Sequence, residues 1–254
     1  PIVASLDQSL AHAQVSENRV THFVIGLAPD GGRLPESARQ IAIEALEQGL
    51  HVVSGLRDFL SDDDDLASLA WRNRVTITDV RRPPKRNELH FFTGEIEQVE
   101  ACRIAVLGTD AAVGKRTTAW MLVDALNEAG RRAELIGTGQ TAWLQGVRYG
   151  VILDALINDF VTGEIEHVIV RAWLEANPDV MILEGQGSLL NPASPGGLEL
   201  LAAGRPHAIV VQHAPARWDY HGFPGYPIHS LERQIEAFEL ISDRPVVAVT
   251  INAE

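Results

Sequence analysis

Arg103-Ile-Ala-Val-Leu-Gly108-Thr109-Asp110-Ala-Ala-Val-Gly114-Lys115-Arg116-Thr117-Thr118 is the stretch on which the fold turns. A β-branched, apolar run leads into a loop of small residues, and the loop delivers a Gly-Lys pair and two threonines. Ala119 to Ala129 behind it has the spacing of an amphipathic helix, and Gly130 suits the left-handed position that ends one. Strand, glycine loop and helix N-terminus together predict a phosphate cradle. The first N–H groups of such a helix have no intrahelical acceptor, and the helix dipole favours an anion in front of them. Gly108, Thr109, Val113 and Gly114 are the candidate cradle, Lys115 and Arg116 its cations, and Thr117 or Thr118 a hydroxyl for a phosphate oxygen or a magnesium ion. The match to the strict P-loop pattern is incomplete. The first required glycine falls on Thr109, one place after Gly108, and Arg116 separates Lys115 from Thr117. The competing reading is an ordinary strand-to-helix turn with a solvated lysine, and the strand before and helix after argue against it.

On both sides of this stretch, strands and helices alternate. Upstream, Ser5 to Gln14 is weakly helical, Thr21 to Leu27 reads as a strand, and residues 28–35 as a Pro/Gly loop. A helix over Glu36 to Gln48, a buried strand over His51 to Ser54, a helix capped by Ser61 and a strand over Val75 to Val80 follow. Residues 1–93 are thus expected to form a small Rossmann-like parallel-sheet domain, with the charged segment from Pro83 to Glu100 as linker. Downstream, strands are expected at Ala133 to Ile136, Val180 to Leu183, Ala208 to Val211 and Val246 to Ile251. Helices are expected at Val151 to Phe160, Ile165 to Ala176 and Leu231 to Ile241. Residues 94–254 read as a P-loop NTPase-like parallel-sheet domain, so the fold class is α/β throughout. The chain starts at Pro1 without Met and stops three residues past a strand, which suggests flanking sequence at both ends.

Polar residues cluster after the later strands, where an open α/β sheet places its ligand. Glu184 ends a buried strand and could hold magnesium, directly or through water, with Thr117; pairing with Lys115 or Arg116 is the alternative. His213 and Arg217 flank Pro215 in another such loop, where a histidine can act as base or donor. Asp154 and Asp159, five apart on a helix, face different sides and make a poor catalytic pair. The run Asp62 to Asp65 invites a metal reading, but its place at a helix N-terminus is explained by the dipole. The Gly31-Gly32 loop lacks three-glycine spacing and is no dinucleotide fingerprint.

Composition narrows the partners. A net charge of −13 over 254 residues argues against nucleic acid and anionic membranes. The single Cys102 excludes an internal disulfide and suits a reducing, cytoplasmic setting. No apolar run is long enough to span a bilayer.

The residues also carry two resemblances. Gly108-Thr-Asp-Ala-Ala-Val-Gly-Lys115 resembles the variant P-loop of dethiobiotin synthetase, Gly-Thr-Asp-x-x-Val-Gly-Lys-Thr. That likeness implies a magnesium-assisting role for Glu184 and an adenine contact for Asn252, with ATP and magnesium as cofactors of a ligase or kinase. The second covers nearly the whole chain. Ile25-Gly-Leu-Ala-Pro-Asp-Gly-Gly-Arg-Leu-Pro35, Gly137-Thr-Gly-Gln-Thr141, Glu184-Gly-Gln-Gly-Ser188 and Pro224-Gly-Tyr-Pro227 are similar to the DUF1611 family. Members of that family are described as D-glutamate N-acetyltransferases using acetyl-CoA. The resemblance implies acetyl transfer to a small acidic amino acid, with a homo-oligomeric assembly expected. Relatives often carry Cys where this chain has Ala111, so an acyl carrier thiol there is unavailable and direct transfer from the thioester remains. Direct transfer needs a base, oxyanion donors and cations for the substrate carboxylates. Asp110, Glu184 and His213 are candidate bases, unranked by sequence; Lys115 and the loop N–H groups are candidate stabilisers. Arg116, Arg148 and Arg217 are candidate carboxylate partners, with Gln140 and Gln186 as further substrate contacts. A nucleotide-binding regulator without turnover is a third reading, against which Lys115 and Glu184 speak.

Overall fold

The structure, a computed structural model, describes residues 2–15, 19–27 and 29–253. Pro1, Glu254 and Ala28 of the loop read at 28–35 lie outside the described residues. The chain divides into two compact units, Pro1–Pro83 and Pro84–Glu254.

The first unit runs α1 (Leu6–Val15), β1 (His22–Ile25), α2 (Glu36–Glu47), β2 (His51–Ser54), α3 (Asp64–Asn73), β3 (Ile77–Asp79). Its three strands are parallel in the order β1-β2-β3. Ala42, Ala45 and Leu46 of α2 pack on Val52 of β2 and on Leu66 and Ala70 of α3 in one core. The cap of α3 is Asp63 rather than Ser61: its carboxylate accepts from the N–H groups of Asp65 and Leu66 and is held by Arg39 at 2.8 Å. The acidic run therefore serves the helix N-terminus, and Ser61 instead sits in a short 3-10 turn with its hydroxyl on Asp79.

The second unit contains β4 (Cys102–Gly108), α4 (Lys115–Glu128), β5 (Ala133–Gly137), α5 (Gln140–Leu144), β6 (Tyr149–Gly150), α6 (Asn158–Ala176), β7 (Val180–Glu184), α7 (Leu198–Gly204), β8 (Ala208–His213), α8 (Leu231–Ser242) and β9 (Val246–Ile251). All six strands are parallel, in the order β6-β5-β7-β4-β8-β9. The near-continuous apolar strands follow from burial on both faces. Ala105, Leu107, Met181, Leu183, Ile209 and Val211 join α6 and α7 in one core, while Val106, Ile182 and Val210 join Ala119 and Val123 of α4 in another. This period-two division puts α4 on one face of the sheet. With β7 on one side of β4 and β8 on the other, the strand order reverses at β4, and a parallel sheet opens its ligand crevice at such a point.

Two expectations change. The segment read as linker belongs partly to the second core: Ile96, Val99 and Ala101 are buried there, so the unit boundary falls at Pro83–Pro84, ten residues before 93/94. The helix expected at 151–160 does not form over 151–157, which holds only a 3-10 turn at Leu153–Ala155; one helix, α6, runs from Asn158 through the helix expected at 165–176. Gly163, which looks like a breaker, sits in mid-helix because the backbone of His90 and Phe91 lies where its Cβ would be. Buried Glu166, one turn on, accepts from the N–H of Thr93 at 2.6 Å and of Ile96 at 3.1 Å and fastens the same segment. Among the described residues no helix is long and apolar enough to cross a membrane.

Candidate functional site

The site grows from the end of β4. A Cβ on Gly108 would lie 2.9 Å from Lys115 Cδ and from Val113 Cγ2, so only glycine lets the lysine stem fold back over the strand end. Ala112 (φ 52°) and Gly114 (φ 103°) take left-handed conformations that turn the loop around its own centre. Among the described residues no acceptor meets the N–H groups of Ala112 to Thr117. A ring of unpaired donors at a helix N-terminus is an anion nest.

Asp110 shapes this loop. It is fully buried, and four donors fill its carboxylate: Ala111 N–H and Asn191 Nδ2 at 2.7 Å, and Arg217 and His221 N–H at 2.8 Å. With every lone-pair direction taken by a donor from the protein, this carboxylate has no oxygen left open to a substrate, which corrects its candidacy as base. Arg217 is spent in the same way: beyond Asp110 it donates to the carbonyls of Ala111 and Ala112, at 2.6 and 3.3 Å. It braces the loop through Nη1 and Nη2. Arg148 is displaced from the role of carboxylate partner, since it pairs with Glu175 at 3.8 Å and stacks over Tyr149 at the sheet edge formed by β6.

Lys115 is 7 % exposed, and its ammonium donates to the carbonyls of Asp110 at 2.8 Å and Gly187 at 2.7 Å. Burial drives its pKa down to about 8, against the opposing pull of Asp110 and Glu184. Its bond to Gly187, with that of Asn191 to Asp110, ties the loop after β7 to the loop after β4.

Two flanks diverge from the lysine. On the β5–β7 side, Glu184 is 6 % exposed and burial raises its pKa, opposed by the N–H of Thr138 and by Arg116 and Lys115. Among the described residues its carboxylate accepts only that N–H, at 3.3 Å to Oε2. Gln186 donates to the carbonyl of Thr138, and Gln140 opens α5 immediately beyond Gly139. On the β8–β9 side, Val113, Gly114, Thr117, Thr118, Met121, Leu122, Gln212, Thr250, Ile251 and Asn252 line a cleft of about 560 Å³. Asn252 Nδ2 donates to Val113 carbonyl at 3.3 Å. His213 shares a hydrogen with Thr109 across 3.0 Å, and burial lowers its pKa.

The structure therefore brings Gly108, Thr109, Val113, Gly114, Lys115 and Arg116 together around the nest, and Thr117, Thr118 and Asn252 into one cleft. Thr117 lines the β8–β9 cleft, and Glu184 ends β7 on the other side of β4. Among the described residues no group of three or more His, Cys, Asp or Glu could hold a metal ion. Asn191 and the Gln212 side chain are the site residues that sequence reasoning missed. Asn191 acts through Asp110, 81 residues away, and Gln212 through Thr118 and Thr250, 94 and 38 residues away.

The geometry agrees with what known proteins resemble this chain. Residues 90–254 match the P-loop domain of DUF1611, a domain of unknown function, and residues 1–83 match that family's Rossmann-like N-terminal domain. A D-glutamate N-acetyltransferase of Pseudoalteromonas sp is 36 % identical over 236 residues, covering 91 % of this chain and 69 % of that protein. One of Tritonibacter scottomollicae is 31 % identical over 240 residues, with the same coverage of 91 % and 69 %. The crystal structure of a DUF1611 family protein from Anabaena variabilis superposes with a TM-score of 0.89 at 32 % identity, covering all of this chain and 72 % of its own. Matched in both of its domains and alike in fold across its whole length, this chain belongs to the DUF1611 family.

Proposed function

We propose that the protein is an N-acetyltransferase that moves acetyl from acetyl-CoA to the amino group of D-glutamate. The names of the two relatives support the reaction class. The observation that carries the proposal to this site is Arg116. It stands directly after the P-loop lysine, where a strict P-loop has the Ser/Thr that holds magnesium. It lies within electrostatic reach of Glu184, and its guanidinium makes no hydrogen bond among the described residues. A cation thus occupies the position of the metal-binding hydroxyl. That arrangement suits a phosphate ligand neutralised by protein alone, as coenzyme A is, better than a magnesium nucleotide.

Roles follow from what each group has left to give. The N–H nest and Lys115 receive a coenzyme phosphate, and the β8–β9 cleft receives its adenine. Of the three arginines weighed for the substrate carboxylates, Arg116 is the one not committed elsewhere. Of the three candidate bases, Glu184 combines a raised pKa with an oxygen left open. It takes a proton from the substrate ammonium; the freed amine attacks the thioester carbonyl and the new C–N bond forms; as the C–S bond breaks, the second amine proton passes to the departing thiolate, leaving the neutral amide and the free thiol, and Glu184 returns its proton to water. Gln140 and Gln186 flank that acid and contact the substrate.

The test is a coupled one. Protein, acetyl-CoA and D-glutamate are incubated with EDTA, and free thiol and N-acetylglutamate are measured together. Equal thiol and product, unchanged by EDTA, is the expected result. Turnover that needs ATP and magnesium would overturn the reading in favour of a ligase or kinase.

A further inference from the structure

Gln212, next to last in β8, lines the 560 Å³ cleft, and it is 3 % exposed. A buried primary amide has one acceptor and two donor hydrogens to satisfy. Its acceptor is fully used: Oε1 receives the hydroxyls of Thr118, from α4, and of Thr250, from β9 at 2.6 Å. These two hydroxyls hold Oε1 and leave Nε2 as the outward end. The other end, Nε2, donates to nothing among the described residues. It lies beside Gly114, 4.0 Å from where a Cβ on that glycine would stand. The donor thus faces the same loop that forms the anion nest.

The surroundings identify what such a donor meets. Val113, Met121, Leu122 and Ile251 give the cleft apolar walls, and Met121 and Ile251 are 66 % and 56 % exposed. Apolar walls with one oriented donor suit a flat heteroaromatic ring with an acceptor nitrogen on its edge, and suit a sugar or a further phosphate poorly. We propose that Gln212 is the residue that reads the purine base of the ligand, its Nε2 donating to a ring nitrogen while Thr118 and Thr250 hold the amide in orientation. The inference rests on the adenine-bearing ligand proposed above and assigns its base recognition to a side chain of β8.

The experiment compares ADP with its 1-deaza, 3-deaza and 7-deaza analogues on the wild type and on Gln212→Met, with inorganic pyrophosphate as control. Gln212→Met should weaken ADP about 3- to 10-fold, the range of one neutral hydrogen bond. One deaza analogue should show the same loss on the wild type and no further loss on the variant. Pyrophosphate should bind both proteins alike. Additive losses for all three analogues on the variant would overturn the assignment, as would equal loss of ADP and pyrophosphate. Pyrophosphate binding without any ADP preference on the wild type would instead sink the adenine-bearing ligand itself. The melting temperature and cooperativity of free Gln212→Met check folding: unchanged pyrophosphate affinity in a cooperatively folded variant assigns the ADP loss to the missing donor.

Discussion

Raising the pH from 7 to 9 should weaken coenzyme binding about tenfold, through Lys115. In the free protein this ammonium is buried and its pKa is lowered to about 8. About a tenth of it is neutral at pH 7 and about nine tenths at pH 9. A phosphate in the nest needs the charged form, and the new anion returns the pKa to its ordinary value near ~10.4 or above. Binding above pH 8 therefore takes up a proton. The affinity scales with the charged fraction of the free protein, so it falls about tenfold between pH 7 and 9, or about 1.4 kcal/mol. Folding of the free protein responds with the opposite sign. The lysine pKa is depressed on folding, so from pH 8 upward the unfolded chain holds a proton the folded state has lost, and this group's contribution to stability rises with pH. Isothermal titration of coenzyme A at pH 7, 8 and 9, each in two buffers of different ionisation enthalpy, measures affinity and proton uptake together. Lys115→Arg keeps a charge throughout and should flatten the profile. An affinity constant across the range in the wild type, or an equal fall in the arginine variant, would refute the reasoning.

Two further outcomes follow from the same geometry. Glu184→Gln should cut kcat for acetyl transfer by about 10²–10⁴ while leaving coenzyme affinity nearly unchanged; in the wild type the rate should fall as the pH drops through a carboxyl pKa raised above the ordinary range, and a variant that retains full kcat would return the role of base to His213. Gly163→Ala should destabilise the protein by about 1–3 kcal/mol in urea unfolding because the methyl meets the backbone of His90 and Phe91; in a solvated helix the same change stabilises by about 1 kcal/mol, so an increase in stability would mean that the 84–93 segment does not sit on α6.

Much of the architecture was legible because it is written in local periodicity. The apolar runs at 104–107, 180–183 and 208–211 are strands buried on both faces, and no other element of that length suits such a run. The strand, small-residue loop and Gly114-Lys115 pair sufficed for the anion nest, since unpaired N–H groups at a helix start are a property of backbone geometry. What stayed hidden depends on pairings distant in sequence. Asp110, Arg217 and Arg148 look equally available in a string of letters; only the fold shows that Asn191, Arg217 and the His221 N–H close around Asp110 and that Glu175 claims Arg148. Gly163 reads as a helix break by propensity, yet a chain crossing seventy-odd residues away demands its missing Cβ. The residue types and the nest were determined by the sequence itself. Which cations and carboxylates remain free to work was decided by tertiary structure, because a buried polar group is defined chemically by the partner that satisfies it.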